Sequence, residues 1–201
     1  ESFHMEAVKD DPTVMSEKLK EAAKAADMII TTGGVSVGKK DIMHESLRLM
    51  GAERIFWRVK MKPGMPTLFS AYKKTSDITA TDNCASEREI PIISLSGNPF
   101  GVAVSIELLI RPALEKMMQD PSIGLKEVNG IMADNFEKGI KGRRFIRAYL
   151  ENGKFHLPNG LHSNGVLSSM AGCNCLIDTK TMENQESRSL NAGDKVSAIL
   201  L

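Results

Sequence analysis

Residues 31–41 read Thr31-Thr32-Gly33-Gly34-Val35-Ser36-Val37-Gly38-Lys39-Lys40-Asp41, directly after the apolar run Met28-Ile29-Ile30. A strand, a glycine-rich bend and a helix in that order turn backbone N–H groups toward whatever lies above the strand's end. The helix adds its positive end. Such a place suits an anion. Gly33, Gly34 and Gly38 permit close backbone approach, and Ser36 adds a hydroxyl. The bland alternative is a tight turn and nothing more. Ser96-Gly97-Asn98-Pro99 repeats the pattern after a second apolar run, with Asn98 placed to cap a helix and Pro99 to begin it. Ligands of open α/β sheets bind at the carboxyl ends of strands, so two such bends at one edge would make a joint crevice.

Asp41 could ligate a hard cation such as Mg²⁺, which bridges a carboxylate and a phosphate, or it could cap the helix that follows. Arg58, Lys60 and Lys62 lie on or just beyond a strand, with Arg58 and Lys60 on one face. They could hold a phosphate or oxyanion, or they could guard a sheet edge. Arg143 and Arg147 share a strand face opposite Arg144, and a charged, solvated face explains them as readily as an anion does. Cys173-x-Cys175 with His156 and His162 upstream has the wrong spacing for a zinc knuckle, and alternate buried strand positions account better for the thiols. Ser168-Ser169 has no evident histidine partner for a nucleophile.

The elements that must position these residues follow from pattern. Residues 3–8 could be a strand. Asp11 and Pro12 start a helix that runs to Ala26, with Val14, Met15, Leu19, Ala22 and Ala23 at helical spacing. Met28–Thr32 is a buried-type strand, and Asp41–Met50 a second helix stopped by Gly51. Arg54–Met61, Thr67–Lys73 and Ile90–Leu95 read as strands, with a polar loop over 74–89. A helix from Pro99 carries Val102, Ile106, Leu109, Ile110, Leu114 and Met117 on one stripe, and Pro112 is expected to kink it. Strands alternating with helices predict a mostly parallel, three-layer α/β/α domain. After Asp120-Pro121-Ser122 come short alternating runs and turn signals such as Asn129-Gly130 and Asn152-Gly153, the mark of a small barrel-like all-β domain. The division expected is 1–120 and 121–201.

Bulk properties bound the partners. The chain has 201 residues, a net charge of +1, 42% apolar and 25% charged residues. These values point to no nucleic-acid partner, and no apolar run reaches the roughly 20 residues of a membrane helix. Three cysteines suit a reduced, cytoplasmic protein.

Together the motifs resemble the molybdopterin molybdenumtransferase family, the MoeA proteins and the C-terminal domain of gephyrin. Residues 31–41 are the most specific part. Met61-Lys62-Pro63-Gly64-Met65-Pro66 and Ser96-Gly97-Asn98-Pro99 follow in the family's order. Gly142-Arg143-Arg144-Phe145-Ile146-Arg147, residues 163–170 and Leu190–Val196 extend the likeness through the β region. The resemblance implies insertion of molybdenum from molybdate into adenylylated molybdopterin, with Mg²⁺ required and AMP released. It assigns the pterin–phosphate part to Thr32, Gly33, Gly34, Val35, Ser36 and Gly38, and to Ser96, Gly97, Asn98 and Pro99. It makes Asp41 a metal or ligand contact, aligns Arg58 and Lys62 with basic residues of the family's cleft, and sets Arg147 and Ser168 or Ser169 on the side that the β domain supplies.

The resemblance also implies that the α/β domain here lacks its first strand and helix, that the chain alone would not turn over, and that full-length relatives are homodimers. An alternative is a scaffold module of the gephyrin type that recognises a peptide. Met65, Ser96 and Phe100-Gly101-Val102 stand where the family more often has lysine, proline and Val-Ser-Ala.

Overall fold

The computed structural model describes residues 1–35, 42–75, 87–140, 142–160, 166–179 and 188–201. Ser36, Gly38 and Asp41 lie outside the described residues. The chain forms two compact units, Glu1–Arg58 with Pro66–Gly97, and Val59–Met65 with Asn98–Leu201. The second unit takes in the 99–118 helix and a short strap, so it differs from the division expected near residue 120. The reason is apolar packing: Phe100 and Val104 of that helix and Met61 of the strap share a core with Phe145, Leu176 and Ile199.

In the first unit, α1 (Pro12–Ala25) opens as its sequence requires. Asp11 caps it, its carboxylate accepting from the N–H groups of Thr13 and Val14 at 2.8 and 3.1 Å. Residues 3–8 form no strand. Strand β1 (Ile29–Thr32), helix α2 (Met43–Met50) and strands β2 (Glu53–Trp57), β3 (Leu68–Thr75) and β4 (Glu87–Leu95) complete the unit. The sheet order is β1-β4-β3-β2. Only β1 and β4 are parallel; β3 pairs antiparallel with both neighbours. The α/β class therefore holds with a mixed sheet, where a mostly parallel one was expected. The cause is a hairpin: β3 and β4 reach into the polar stretch that reads as a loop, with Lys73 opposite Glu89.

Leu19, Ala22 and Ala23 of α1 and Met43, Leu47 and Met50 of α2 pack with Ile29, Leu68, Ile90 and Ile92 on one face of this sheet. Strand β2 ends at Trp57, short of the expected Met61. Arg58 has φ 74°, a left-handed backbone that cannot continue a strand.

The second unit begins with α3 (Pro99–Ser105), runs through a π-helical turn (Ile106–Ile110) and ends its helix as α4 (Arg111–Met118). The kink expected at Pro112 takes the form of that wide turn, in which Arg111 donates its N–H to the Ile106 carbonyl. Pro112 has no N–H to give one turn back, and the bulge absorbs the mismatch. The extra residue shifts the phase of the stripe. Val104 and Ile110 are buried, whereas Ile106 is 40% exposed.

Strands β5 (Glu127–Met132), β6 (Phe136–Ile140), β7 (Phe145–Glu151), β8 (Lys154–His156), β9 (Cys175–Asp178), β10 (Arg188–Leu190) and β11 (Lys195–Leu200) follow. Five of them close a barrel in the order β11-β5-β8-β7-β9, and β10 pairs with β6. Ile146, Ala148, Phe155, Cys175, Ile177 and Ala198 fill the interior. Gly130 must lack a side chain, because a Cβ there would sit 2.8 Å from the Gly153 carbonyl and from the Phe155 ring.

Candidate functional site

The parallel pairing of β1 with β4 puts their carboxyl ends side by side, Thr32 opposite Leu95. Gly33 continues the ladder by one rung, donating its N–H to the Leu95 carbonyl at 2.9 Å. That amide is therefore occupied, contrary to the expectation of bare N–H groups along the whole bend. Gly33 and Gly34 have φ 91° and 67°, which glycine alone adopts without cost. A Cβ on Gly97 would lie 3.6 Å from the Gly33 Cα, so the two bends touch backbone to backbone. Ser96, which opens the second bend, has a buried hydroxyl with no hydrogen-bond partner among the described residues. Such a group is poised for a ligand.

The bend is fastened at both ends. The Gly34 carbonyl accepts from the Met43 N–H at 3.1 Å, tying it to the first residue of α2, with Ile42 in the cap position. The Val35 carbonyl accepts from the Trp57 indole N–H at 3.1 Å. Val35 itself is 1% exposed, so its side chain belongs to the core. Thr32 is exposed. The Arg58 guanidinium stacks on the Trp57 ring, its Cζ 4.3 Å from the centroid. Sequence reasoning picked out Arg58 but missed Trp57, whose role rests on a contact 22 residues away in sequence. Its lone occurrence in the chain was the available signal.

The second unit gathers the remaining candidates. Asn98 caps α3, its side-chain oxygen accepting from the Gly101 N–H at 3.1 Å, and Pro99 fills the first helical position. Arg147 is 2% exposed, and its guanidinium lies over the Phe100 ring, with Cζ 4.6 Å from the centroid. It is thus no solvated face residue, as the alternating pattern allowed. Burial lowers its pKa, and nearby Cys173 offsets part of this. The Cys173 thiol donates to the Ser169 carbonyl at 3.4 Å, and burial raises its pKa against the pull of Arg147. Ser169 is buried and donates to the Val166 carbonyl, while its neighbour Ser168 is exposed. Ser168 is therefore the one of the pair with a hydroxyl open to ligand. Cys175 points into the barrel, where burial and Cys173 push its thiol up to about 12.

Arg143, on the other hand, holds the buried Asp178 through two bonds, at 3.1 and 2.7 Å. Lys62 is set by its backbone: its N–H donates to the Arg143 carbonyl at 3.1 Å, and its carbonyl accepts from Phe145 at 2.9 Å. Its side chain is exposed at the root of the strand that carries Arg147. Gly64 turns the strap at φ 95° against Met61 and Ser105.

No group of three or more His, Cys, Asp or Glu that could hold a metal ion occurs among the described residues, and His162 lies outside them. The described residues likewise offer no cage for Mg²⁺. A cleft of about 510 Å³ is lined by His44, Arg48, Arg54 and Ser70. It lies on the α2 side of the first unit and holds none of the candidates.

Residues 1–116 match the family described as "Probable molybdopterin binding domain", and residues 129–201 match "MoeA C-terminal region (domain IV)". The molybdopterin molybdenumtransferase of Staphylococcus aureus (strain N315) is 30% identical over 195 residues, 96% of this chain and 42% of that protein. The Bacillus subtilis (strain 168) protein of the same name is 29% identical over 162 residues, 79% of this chain and 34% of its own length. The solved molybdopterin biosynthesis MoeA protein of Pyrococcus horikoshii OT3 shares the fold, with a TM-score of 0.64 at 23% identity over 96% of this chain and 40% of that one. The chain thus spans less than half the length of these relatives. With a matched domain over more than half its residues and the abutting bends in place, it belongs to the molybdopterin molybdenumtransferase (MoeA) family.

Proposed function

We propose that this chain is the part of a molybdenum cofactor biosynthesis enzyme that holds adenylylated molybdopterin while molybdenum is inserted and AMP is released. The observation that carries the reading is the contact of the two bends, Gly33 on Gly97, at the carboxyl ends of parallel strands. Backbone there can approach a phosphate within van der Waals distance, and the Ser96 hydroxyl can donate to it. Arg58 supplies a fixed cation in the first unit; Lys62, Arg147 and Ser168 supply an anion-holding set in the second. Molybdate and the substrate phosphates are both anionic, and holding them in one orientation converts a chance encounter into a directed one. A covalent nucleophile is not required.

Asp41 is the candidate for Mg²⁺, which would offset phosphate charge when bound. Since Asp41 lies outside the described residues, no step is assigned to the ion. Turnover requires segments that the longer relatives have and this chain does not span. The same reading has the working protein as a cytoplasmic homodimer. Among the described residues no helix is long and apolar enough to cross a membrane.

The test is retention of adenylylated molybdopterin by the purified protein, followed by AMP release on adding molybdate where the longer protein is used. Arg58→Gln should weaken retention about tenfold, the worth of one charge-assisted contact. If the pterin is not retained, or if neither Arg58→Gln nor Asp41→Ala alters retention or AMP release, the reading fails.

A further inference from the structure

We propose that Trp57 is a positioning residue that holds the Arg58 guanidinium and the Gly33-Gly34-Val35 turn in one fixed arrangement. The inference rests on the reading of that bend and of Arg58 as ligand contacts. Four observations meet on this side chain. Its indole N–H donates to the Val35 carbonyl at 3.1 Å, on the residue that enters the bend. Its ring meets His44, in the first turn of α2, edge to face, with centroids 4.7 Å apart at 87°. Its ring carries the Arg58 guanidinium at 4.3 Å. Its strand ends at the next residue, where Arg58 turns left-handed at φ 74° and keeps the ladder only through its N–H to the Thr67 carbonyl, 2.8 Å.

The left-handed turn is the informative part. Arginine rarely adopts it, and such backbone persists only where its surroundings hold it. Continuing the strand would carry the Arg58 side chain to the opposite face; the turn folds it back onto the indole instead. Stacking occupies one face of the guanidinium and leaves its N–H edges for an oxyanion. No carboxylate pairs with Arg58 among the described residues, so the charge is held in place without being neutralised. Meanwhile the Gly34 carbonyl accepts from the Met43 N–H at 3.1 Å, which ties the turn to the start of α2. Trp57 thus joins the two ligand-facing parts of the unit.

The chain has one tryptophan, so its fluorescence reports on this point alone. The variants are Trp57→Phe, which keeps a ring under Arg58 but has no N–H for Val35, Trp57→Leu, which has neither, Arg58→Gln, and the double variant Trp57→Leu/Arg58→Gln. Circular dichroism checks that each is folded, and equilibrium dialysis gives the affinity for adenylylated molybdopterin. Arg58→Gln should lose about tenfold, Trp57→Leu at least as much because it also frees the Val35 carbonyl, and the double variant no more than Trp57→Leu alone, because the oriented cation is already lost there. Trp57→Phe should fall between the parent and Trp57→Leu, since it keeps the ring under Arg58 and loses the bond to Val35. In Arg58→Gln without ligand, acrylamide should quench Trp57 more readily than in the parent.

Full affinity in folded Trp57→Leu, or losses that multiply in the double variant, overturns the proposal. Should Trp57→Leu fail to fold, unchanged quenching in Arg58→Gln overturns it by itself. If Arg58→Gln leaves affinity intact while quenching changes, the positioning stands and the ligand reading falls.

Discussion

Replacing Gly64 by alanine should weaken the protein well beyond what the same change costs at other left-handed glycines. At φ 95° an L-residue is strained by about 1–2 kcal/mol. A Cβ at this point would also lie 2.7 Å from Met61 Cε and 2.9 Å from Ser105 Oγ, with the Gly101 carbonyl at 3.4 Å. The Met61 methyl can swing aside, but Ser105 and Gly101 belong to α3 and cannot, so crowding adds about 1–2 kcal/mol, the lower part of the usual overpacking range. The total is about 2–4 kcal/mol. Gly193 is the matched control, in the same unit at φ 93° with nothing within 4 Å of its Cβ position, and Gly193→Ala should cost only the strain, about 1–2 kcal/mol. Urea unfolding of both variants measures the difference. Ser105→Ala in the Gly64→Ala background should recover up to about 1 kcal/mol, since the buried Ser105 hydroxyl has no hydrogen-bond partner among the described residues. Equal midpoints for Gly64→Ala and Gly193→Ala would refute the packing of the strap, and with it the account of how Lys62 is placed.

Other consequences can be checked directly. Asp178→Asn should destabilise by about 1–3 kcal/mol in chemical unfolding, because Asp178 is 5% exposed and the half-exposed Arg143 loses its carboxylate. Asn98→Ala should cost about 1 kcal/mol by the same measurement, through the lost cap on Gly101. The Cys175 pKa, raised in the fold to about 12, stands above the ordinary value near 8.5, so the thiol's contribution to stability is complete below about pH 8.5 and is lost as pH rises toward 12. Iodoacetamide at pH 8 should therefore leave Cys175 unlabelled in the native protein, read by peptide mass spectrometry, and label it once urea unfolds the chain.

Local chemistry was legible where it acts locally. Asp11 and Pro12 announce α1, Gly51 ends α2 in left-handed backbone, and Asn98-Pro99 begins α3, each needing only neighbours within four residues. The two bends were legible for the same reason, and their adjacency follows once β1 and β4 pair in parallel. What escaped depends on partners far along the chain. Arg147 looks like half of a charged face until Phe100 covers it. Gly33 looks like a free donor until the Leu95 carbonyl takes its N–H. Polar residues 87–89 look like loop until Lys73 and its neighbours pair with them. Arg58 breaks an alternation that runs on unbroken in the letters, because a left-handed backbone leaves no periodic trace.

The strap carrying Lys62 leaves the ribosome long before its hydrogen-bonding partners at Arg143 and Phe145. Some 80 residues separate them, and at ordinary translation speeds that is a wait of roughly 4–16 s. Throughout that interval Met61 has no Phe145 to lie against, and the lysine's position is undefined. The first unit holds all of its residues by Gly97, so its bends can be built while this basic segment is still searching. The order of synthesis thus fixes Lys62 well after Arg58, although the two lie four residues apart in the chain, and slowed elongation between residues 97 and 145 would lengthen the time that Met61 is open to nonspecific association.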